Sequence, residues 1–476
     1  MFLHNKLLLI FLIFIAGCVN YSGMKNNGKA ITLTDISIQH DYKVPNILSS
    51  SHGWWGRFKD PQLDQLIQKA LKDSPDILDS QIRVSKANYI LKESQSLAWP
   101  NVDFSGYVQK QHLSKFGLIP PPFNGKTYDI GELGLNFEYD FDFWGKNKET
   151  ILSKQNALCA SEESYIEAKL IVSNAVTKTY LDLKRTIAIL SITRSMLAQQ
   201  EEIKKIIYFR FKNGLISNIP LQKAYEETQK NQQEIAQLEQ AKEILEHQLA
   251  ILIGNNAFST TIEISNHFND AQDDILPKII PANILAQRPD IIAARFRIKA
   301  AANQVNIAKS RFFPNINLTA LLSLQSAGLN HLFTNASRNN AITNAIDLPI
   351  FDANERRANL GEKYDEYDLA LNEYNQRILL GLRQVADQLS ILHSVKPQII
   401  LQNKTLVSAR LNYTLINSKY KHGIIDYIDV IYAKKDLLKE EINNIILNNK
   451  KQQAIVDMIK ALGGLESSDS IPSCRI

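Results

Sequence analysis

The sequence carries one pattern twice. Ser74-Pro75-Asp76-Ile77 opens a helical run that closes at Trp99-Pro100-Asn101-Val102. Arg288-Pro289-Asp290-Ile291 opens another that closes at Phe313-Pro314-Asn315-Ile316. The offset is 214 at both prolines, from 75 to 289 and from 100 to 314. Further on, Phe211-Lys212-Asn213-Gly214-Leu215-Ile216 is echoed by Tyr420-Lys421-His422-Gly423-Ile424-Ile425, and Leu252-Ile253-Gly254 by Ala461-Leu462-Gly463, now at an offset of 209. A duplication on this scale limits the chain to a two-repeat architecture. Its function is then expected from a pseudo-symmetric assembly rather than from one catalytic cleft.

The start of the chain reads as an address. Leu7 to Ile15 is an unbroken apolar stretch, too short to span a bilayer as a helix. Lys6 and His4 precede it, and Ile15-Ala16-Gly17-Cys18 follows, the small-residue pattern that precedes the acylated cysteine of bacterial lipoproteins. A secretory signal with an incidental cysteine is the plainer alternative. On the lipoprotein reading residues 1–17 are the signal peptide, and Cys18 is the mature N-terminus, whose acyl chains hold the protein to one leaflet. Val19 follows it rather than the Asp that often retains lipoproteins at the inner membrane, so the outer membrane is expected. Cys159 and Cys474 are too distant in sequence to form a metal motif, and no cofactor beyond the lipid is expected. A formal net charge of +5 over 476 residues gives no sign of a nucleic-acid partner.

Two stretches predict unusually long helices. Between Gly145 and Gly214 there is neither Pro nor Gly, enough chain for a helix of about 100 Å. Ala353 to Lys421 is its counterpart, with Leu371, Ile378, Val385, Leu392, Ile399, Leu406, Tyr413 and Tyr420 each seven apart. The first run shows Ile151, Leu158, Tyr165 and Val172, then Val176, Leu183, Leu190 and Leu197 after a four-residue step. Such spacing marks helices packed along a seam. Pro397 is expected to kink the second helix without ending it. Each long helix ends at a Gly-containing tip and is followed by a returning helix, about Ile219 to Ile253 and Asp426 to Leu462. A shorter helix precedes each hairpin, about Pro61 to Ala98 and Pro281 to Phe312.

Between short and long helices lie four segments of period-two alternation. Leu133, Leu135, Phe137, Tyr139, Phe141 and Phe143 share one face, opposite Gly134, Asn136, Glu138, Asp140 and Asp142. Ile316, Leu318, Ala320, Leu322 and Leu324 repeat the pattern, broken only by Leu321; Val102, Phe104 and Val108 fit it, as do Ile342, Ile346, Leu348 and Ile350. Each is close to the ~10 residues that cross a bilayer as a tilted strand. A half-buried soluble strand alternates too. The aromatic face opposite Glu138, Asp140 and Asp142 favours lipid outside and water inside, with those three acids facing the lumen. Four strands cannot close a barrel and lipid does not tolerate open edges, so oligomerisation is expected.

Trp54-Trp55, Phe58, Asp60-Pro61, Leu63 and Leu66-Ile67 form an opening signature. Together with Arg288-Pro289-Asp290, Pro314-Asn315-Ile316 and the corners Asp142-Phe143-Trp144-Gly145-Lys146 and Leu348-Pro349-Ile350-Phe351-Asp352, it resembles the TolC family of outer-membrane efflux lipoproteins, in the branch of OprM and NodT. The resemblance runs from Cys18 to about Gly464. It implies a mainly α protein with membrane β: a homotrimer forming a 12-stranded outer-membrane β-barrel on a periplasmic α-helical barrel. It implies a passive duct, fed by an inner-membrane pump through a periplasmic adaptor. The adaptor-docking tips would involve Arg210, Gly214, Leu215 and Ser217, with Lys419, Gly423 and Ile424. The periplasmic gate would lie at Asp426, Ile428, Asp429 and Tyr432, where Tyr432 departs from relatives with a further Asp. Helix C-capping explains both glycines without any partner, and N-capping would equally explain Asp426.

The resulting organisation has six parts. Residues 1–17 form the signal peptide, 18–60 an N-terminal periplasmic or equatorial segment and 61–264 the first repeat, with hairpin 101–144 and tip 213–219. Residues 265–280 form a linker, 281–464 the second repeat, with hairpin 315–351 and tip 422–428, and 465–476 a tail. Nine His with no i,i+4 pair, and no nucleophile elbow or phosphate loop, argue against an enzyme. Type I protein secretion and a membrane-tethered coiled-coil lipoprotein are the other expectations to separate from small-molecule efflux.

Overall fold

The computed structural model describes residues 21, 23–26, 28–31, 53–257, 282–464 and 474. Cys18, the signal peptide, the 265–280 linker and most of the 18–60 and 465–476 segments lie outside the described residues. In chain order the elements are α1 (Pro61–Asp73), α2 (Pro75–Gln95), β1 (Asn101–His112), β2 (Thr127–Phe141), α3 (Lys146–Lys212), α4 (Asn218–Leu252), α5 (Pro289–Ser310), β3 (Asn315–Ala327), β4 (Arg338–Asp347), α6 (Glu355–Lys421) and α7 (Tyr427–Ala461). No described helix is long and apolar enough to cross a membrane. The chain divides into two compact units. One combines Met1–Ala30, Val84–Ser161 and Ala294–Tyr374; the other combines Ile31–Arg83, Glu162–Ala293 and Asn375–Ile476.

The repeat is visible at the boundaries. α3 and α6 have 67 residues each, α4 and α7 have 35 each, and all their ends are 209 apart. The starts of α2 and α5, and of β1 and β3, are instead 214 apart. The change of offset falls inside the hairpin, where loop length is free to vary. α6 runs through Pro397 without interruption.

The first short helix is not continuous over Pro61 to Ala98. Ser74 is extended (φ −66°, ψ 130°), because Pro75 disfavours helical backbone at the residue before it, and residues Ser96–Ala98 tighten into a 3-10 turn. The second repeat breaks the same way at Arg288, with a 3-10 turn over Ala282–Gln287 and α5 starting at Pro289. Asp60 opens α1 by accepting from the Gln62 and Leu63 N–H groups, with Pro61 at the first position.

Burial follows the seven-residue spacing. Leu371, Ile378, Val385 and Leu392 are at most 5% exposed, while Tyr420, at the tip end of the same series, is 40% exposed. Packing against neighbouring helices therefore fades toward the tip. In the second unit Tyr180 and Lys184 both donate to Asp60, at 2.8 and 3.0 Å. Burial alone would raise the Asp60 carboxyl, but these bonds hold it below the usual carboxylate value.

The return helices end against the starts of the short helices. A side chain on Gly254 would collide with the Asp73 carbonyl, and one on Gly463 would press on the Arg288 backbone. Arg288 is buried there. Its Nε and Nη2 donate to Asp290 at 3.0 and 2.8 Å, and Nη1 donates to the Ala461 carbonyl at 2.7 Å and to Gln384 at 3.0 Å. One guanidinium thus joins the start of α5 to α6 and to the last turn of α7.

The strands form one antiparallel sheet in the order β1-β2-β3-β4. Its register aligns Val102, Phe137, Ala320 and Ile342 across all four strands, and Phe141, Ile316 and Ile346 across three. Residues opposite one another share a face, so the apolar positions merge into one surface.

Candidate functional site

Three features could carry function: the sheet, the corners where strands become long helices, and the tips. The sheet has a continuous apolar face that nothing among the described residues covers. Val102, Phe104, Leu322, Ile342 and Ile346 are each more than half exposed. The opposite face is polar. Glu138 lies across from Asn101 and Thr319, Asp140 lies across from Asn317, and Asn136 donates to Ser105. Both outer strands, β1 and β4, are exposed at every residue and present open hydrogen-bonding edges.

At the corners each long helix starts from an aspartate. Asp142 accepts from the Asn147 and Lys148 N–H groups at 2.9 and 2.8 Å, on a turn that Gly145 enables with φ 75°. Asp352 accepts from the Asn354 and Arg356 N–H groups, and the Arg356 guanidinium pairs with it. Hydrogen bonding from Arg356 holds Asp352 below the usual carboxylate range. Asp142 therefore departs from the expected row of lumen acids. Its carboxylate satisfies the otherwise unpaired amides of a helix N-terminus, while Glu138 and Asp140 remain on the polar face of β2. Trp144 stacks on Phe313 at 4.6 Å and donates to the Pro314 carbonyl at 2.7 Å, joining the two repeats within the first unit.

The two tips share a backbone design. Gly214 has φ 74° and Gly423 φ 72°; the Leu215 N–H donates to Arg210 O at 2.9 Å and the Ile424 N–H to Lys419 O at 3.0 Å. These are glycine-terminated helix ends that satisfy the last carbonyls. Arg210 and Lys419 thus supply equivalent carbonyls in the two repeats. The turn leaves Leu215, Ile219 and Ile424 at 72%, 77% and 68% exposure. Ser217 occupies the cap position of α4, but its side chain makes no capping bond.

Asp426 occupies the cap position of α7, but its side chain does not cap. It accepts from Arg210 Nη2 at 2.8 Å, linking the first tip to the second return helix. Beside it the Tyr427 hydroxyl donates to Glu202 at 3.2 Å, and its ring lies 5.1 Å from that of Tyr420. Burial and the Glu202 carboxylate push the Tyr427 phenol up. Lys435 donates to Gln200 and Glu227, both at 3.3 Å. Ile428 is half-buried, Asp429 and Tyr432 are exposed, and Val430 and Ile431 turn inward at 5% and 1% exposure. The cross-repeat partners Glu202 and Lys435 are invisible in the sequence, because they lie more than 200 positions from Tyr427 and Gln200 respectively. The visible signal was the failed match between Ser217 and Asp426.

A second apolar surface runs along α6, where Leu379, Ile400, Leu401, Val407, Leu411 and Leu415 are each more than half exposed.

Known proteins share this architecture. A family model described as "Outer membrane efflux protein" matches residues 66–255 and 280–464. "Probable outer membrane lipoprotein SilC" of Salmonella typhimurium is 27% identical over 436 residues, covering 90% of this chain and 92% of that protein. "Multidrug resistance outer membrane protein MdtQ" of Escherichia coli O157:H7 is 25% identical, covering 87% and 88%. Among solved structures, the outer membrane protein VceC of Vibrio cholerae superposes with a TM-score of 0.76 at 26% identity, covering 87% of this chain and 99% of that one.

Proposed function

The chain belongs to the outer membrane efflux protein family, and from that premise we propose that it is the passive exit duct of a tripartite efflux system. It resides in the outer membrane. The observation that carries the duct reading is the sheet: four strands, one uncovered apolar face and two fully exposed edges. Open edges are not tolerated in lipid, and single-chain barrels begin at about eight strands. Three copies closing edge to edge give 12 strands, with the apolar face toward lipid and Glu138 and Asp140 toward water. The uncovered α6 surface supports the same assembly, because a second copy would cover it.

In this reading Cys18 carries the lipid anchor, and the helices extend into the periplasm. The tips, with Arg210, Gly214, Leu215, Ser217, Lys419, Gly423 and Ile424, receive the periplasmic adaptor, which connects the duct to an inner-membrane pump. Their apolar side chains stand in water on rigid turns, as a docking surface requires. Ile428, Asp429, Asp426 and Tyr432 form the gate, and the Arg210–Asp426 pair latches it. The cargo is a drug or another small molecule. Protein secretion through the same kind of duct is the competing reading. Deleting the gene separates them: small-molecule efflux predicts hypersensitivity to toxic compounds, and protein secretion predicts loss of an exported polypeptide. Planar-bilayer conductance and a heat-dissociable trimer band test the duct itself. A monomer without conductance would leave the tethered coiled-coil reading standing.

A further inference from the structure

The loop end of the sheet, within the first compact unit, is chemically unlike its other end. From Val108 to Tyr128 there is no Asp or Glu, and from Asn315 to Ile346 there is none either. Those stretches carry Lys110, Lys115, Lys126 and Arg338, none of which is in an ion pair among the described residues. The nearest acids are on β2: Asp129, opposite Lys110 in the register, and Glu132, already engaged by Tyr107 and Gln325. Asp103, Glu138, Asp140 and Asp347 gather at the opposite end, near the corners. Charge therefore differs between the two ends, with cations and almost no acids at the loops and both signs together at the corners, where Lys146 and Arg311 stand among Asp140, Asp142 and Asp347.

The β1–β2 loop is also a built platform. The Leu113 N–H donates to Lys126 O and the Gly125 N–H to Leu113 O, both at 2.9 Å, and Asn124 Nδ2 donates to Lys115 O at 3.0 Å. The Phe116 N–H donates to Ser114 Oγ at 3.2 Å. Yet this ordered loop holds Phe116 at 95% and Leu118 at 104% exposure, and the neighbouring β3–β4 loop holds Phe333 at 78%. Large apolar side chains fixed in water beside unpaired cations match an anionic amphiphile, in which phosphates sit above acyl chains.

We propose that this loop end is a docking surface for lipid A of the outer leaflet, with Lys115 and Lys126 meeting its phosphates and Phe116 and Leu118 entering its acyl layer. The proposal rests on the reading that the hairpin loops face outward from the outer membrane. A phospholipid of the inner leaflet would meet the corner end of mixed charge instead. The loop would then steady the barrel in the leaflet without touching the conduction path.

The test uses the full-length protein in detergent, titrated with diphosphorylated lipid A, with dephosphorylated lipid A and with phosphatidylglycerol, binding being read by native mass spectrometry. The wild type is expected to retain diphosphorylated lipid A in preference to both others. Combined Lys115→Gln and Lys126→Gln should weaken retention by about tenfold or more, given the attraction of each cation to anionic lipid. Combined Phe116→Ser and Leu118→Ser should weaken it severalfold. Single-channel conductance of both variants should stay at the wild-type value, so loss of the lipid site is distinguishable from failure of the duct. Equal retention by wild type and variants overturns the proposal, as does equal retention of phosphatidylglycerol. If Phe116→Ser and Leu118→Ser instead lower the heat-dissociation temperature and leave lipid A retention unchanged, the loop covers a second copy of the chain, and the proposal also fails.

Discussion

The long helices and the return helices end in the same glycine turn, with φ of 72–84° and the same pair of closing hydrogen bonds. At Gly214 and Gly423 nothing lies within 4 Å of where a side chain would point. At Gly254 and Gly463 the neighbouring backbone is in the way. An arginine–aspartate pair stands near each kind of turn. Arg288–Asp290 has both side chains 7% exposed and is bonded on every side; Arg210–Asp426 has side chains 38% and 64% exposed and one bond between them. Identical local chemistry is thus a fixed clasp where it is buried and an exposed, weakly held pair where it meets water. Solvent decides which, because water screens and replaces an exposed pair but cannot reach a buried one.

That contrast can be broken first at the clasp. Arg288→Ala should cost about 3–5 kcal/mol, since it leaves Asp290 charged and buried and the Ala461 carbonyl unpaired. Thermal unfolding followed by circular dichroism measures it, and a melting curve like the wild type's would remove the distinction. Gly254→Ala should come next, combining a left-handed backbone penalty of about 1–2 kcal/mol with a clash against Asp73 of similar size. Gly214→Ala should show the backbone penalty alone. Urea midpoints of the two variants compare them directly, and equal losses would mean that packing at Gly254 is looser than it looks.

Asp60 sharpens the comparison through pH. Its folded-state carboxyl is held below the usual value by Tyr180 and Lys184, so its contribution is present above the ordinary pKa of 3.8 and is lost as pH falls through the folded value. Asp60→Asn should therefore flatten the acid limb of stability below about pH 4 while lowering stability at neutral pH. Urea midpoints between pH 3 and 7 would show it, and an acid limb as steep as the wild type's would contradict it.

The smallest effect on stability belongs to the latch. Arg210→Ala should change it by only about 0.2–1 kcal/mol, yet should raise resting conductance in planar bilayers, because it frees Asp426 from the opposite repeat. Unchanged conductance would move the gate away from this pair.

Much of the fold was readable from spacing. Seven-residue series, continuous in the second repeat and broken by one four-residue step in the first, marked the two long helices, and Leu371, Ile378, Val385 and Leu392 are buried as that period requires. Alternation gave the strand faces, because side-chain direction along a strand has period two whatever the partners. The break at Ser74 was written in the sequence too, in the proline after it, though helical composition on both sides concealed it. Asp142 was harder: a strand-face acid and a helix cap look alike until the chain turns at Gly145. Of the tips, the turns were legible and the latch was not.

The amino-acid sequence alone determined the repeat, the element types and the two-faced character of the strands. The repeat shows as motifs matched along the chain, and the other two depend on residues within one or two turns of one another, where backbone sterics and burial period act locally. Tertiary structure decided the strand register, the open edges, the Arg288 clasp and the Arg210–Asp426 latch. Each of these joins groups far apart in the chain, the latch across 216 positions and the clasp across 173. No local preference encodes such pairings; they follow from the packing that brings the chain segments together.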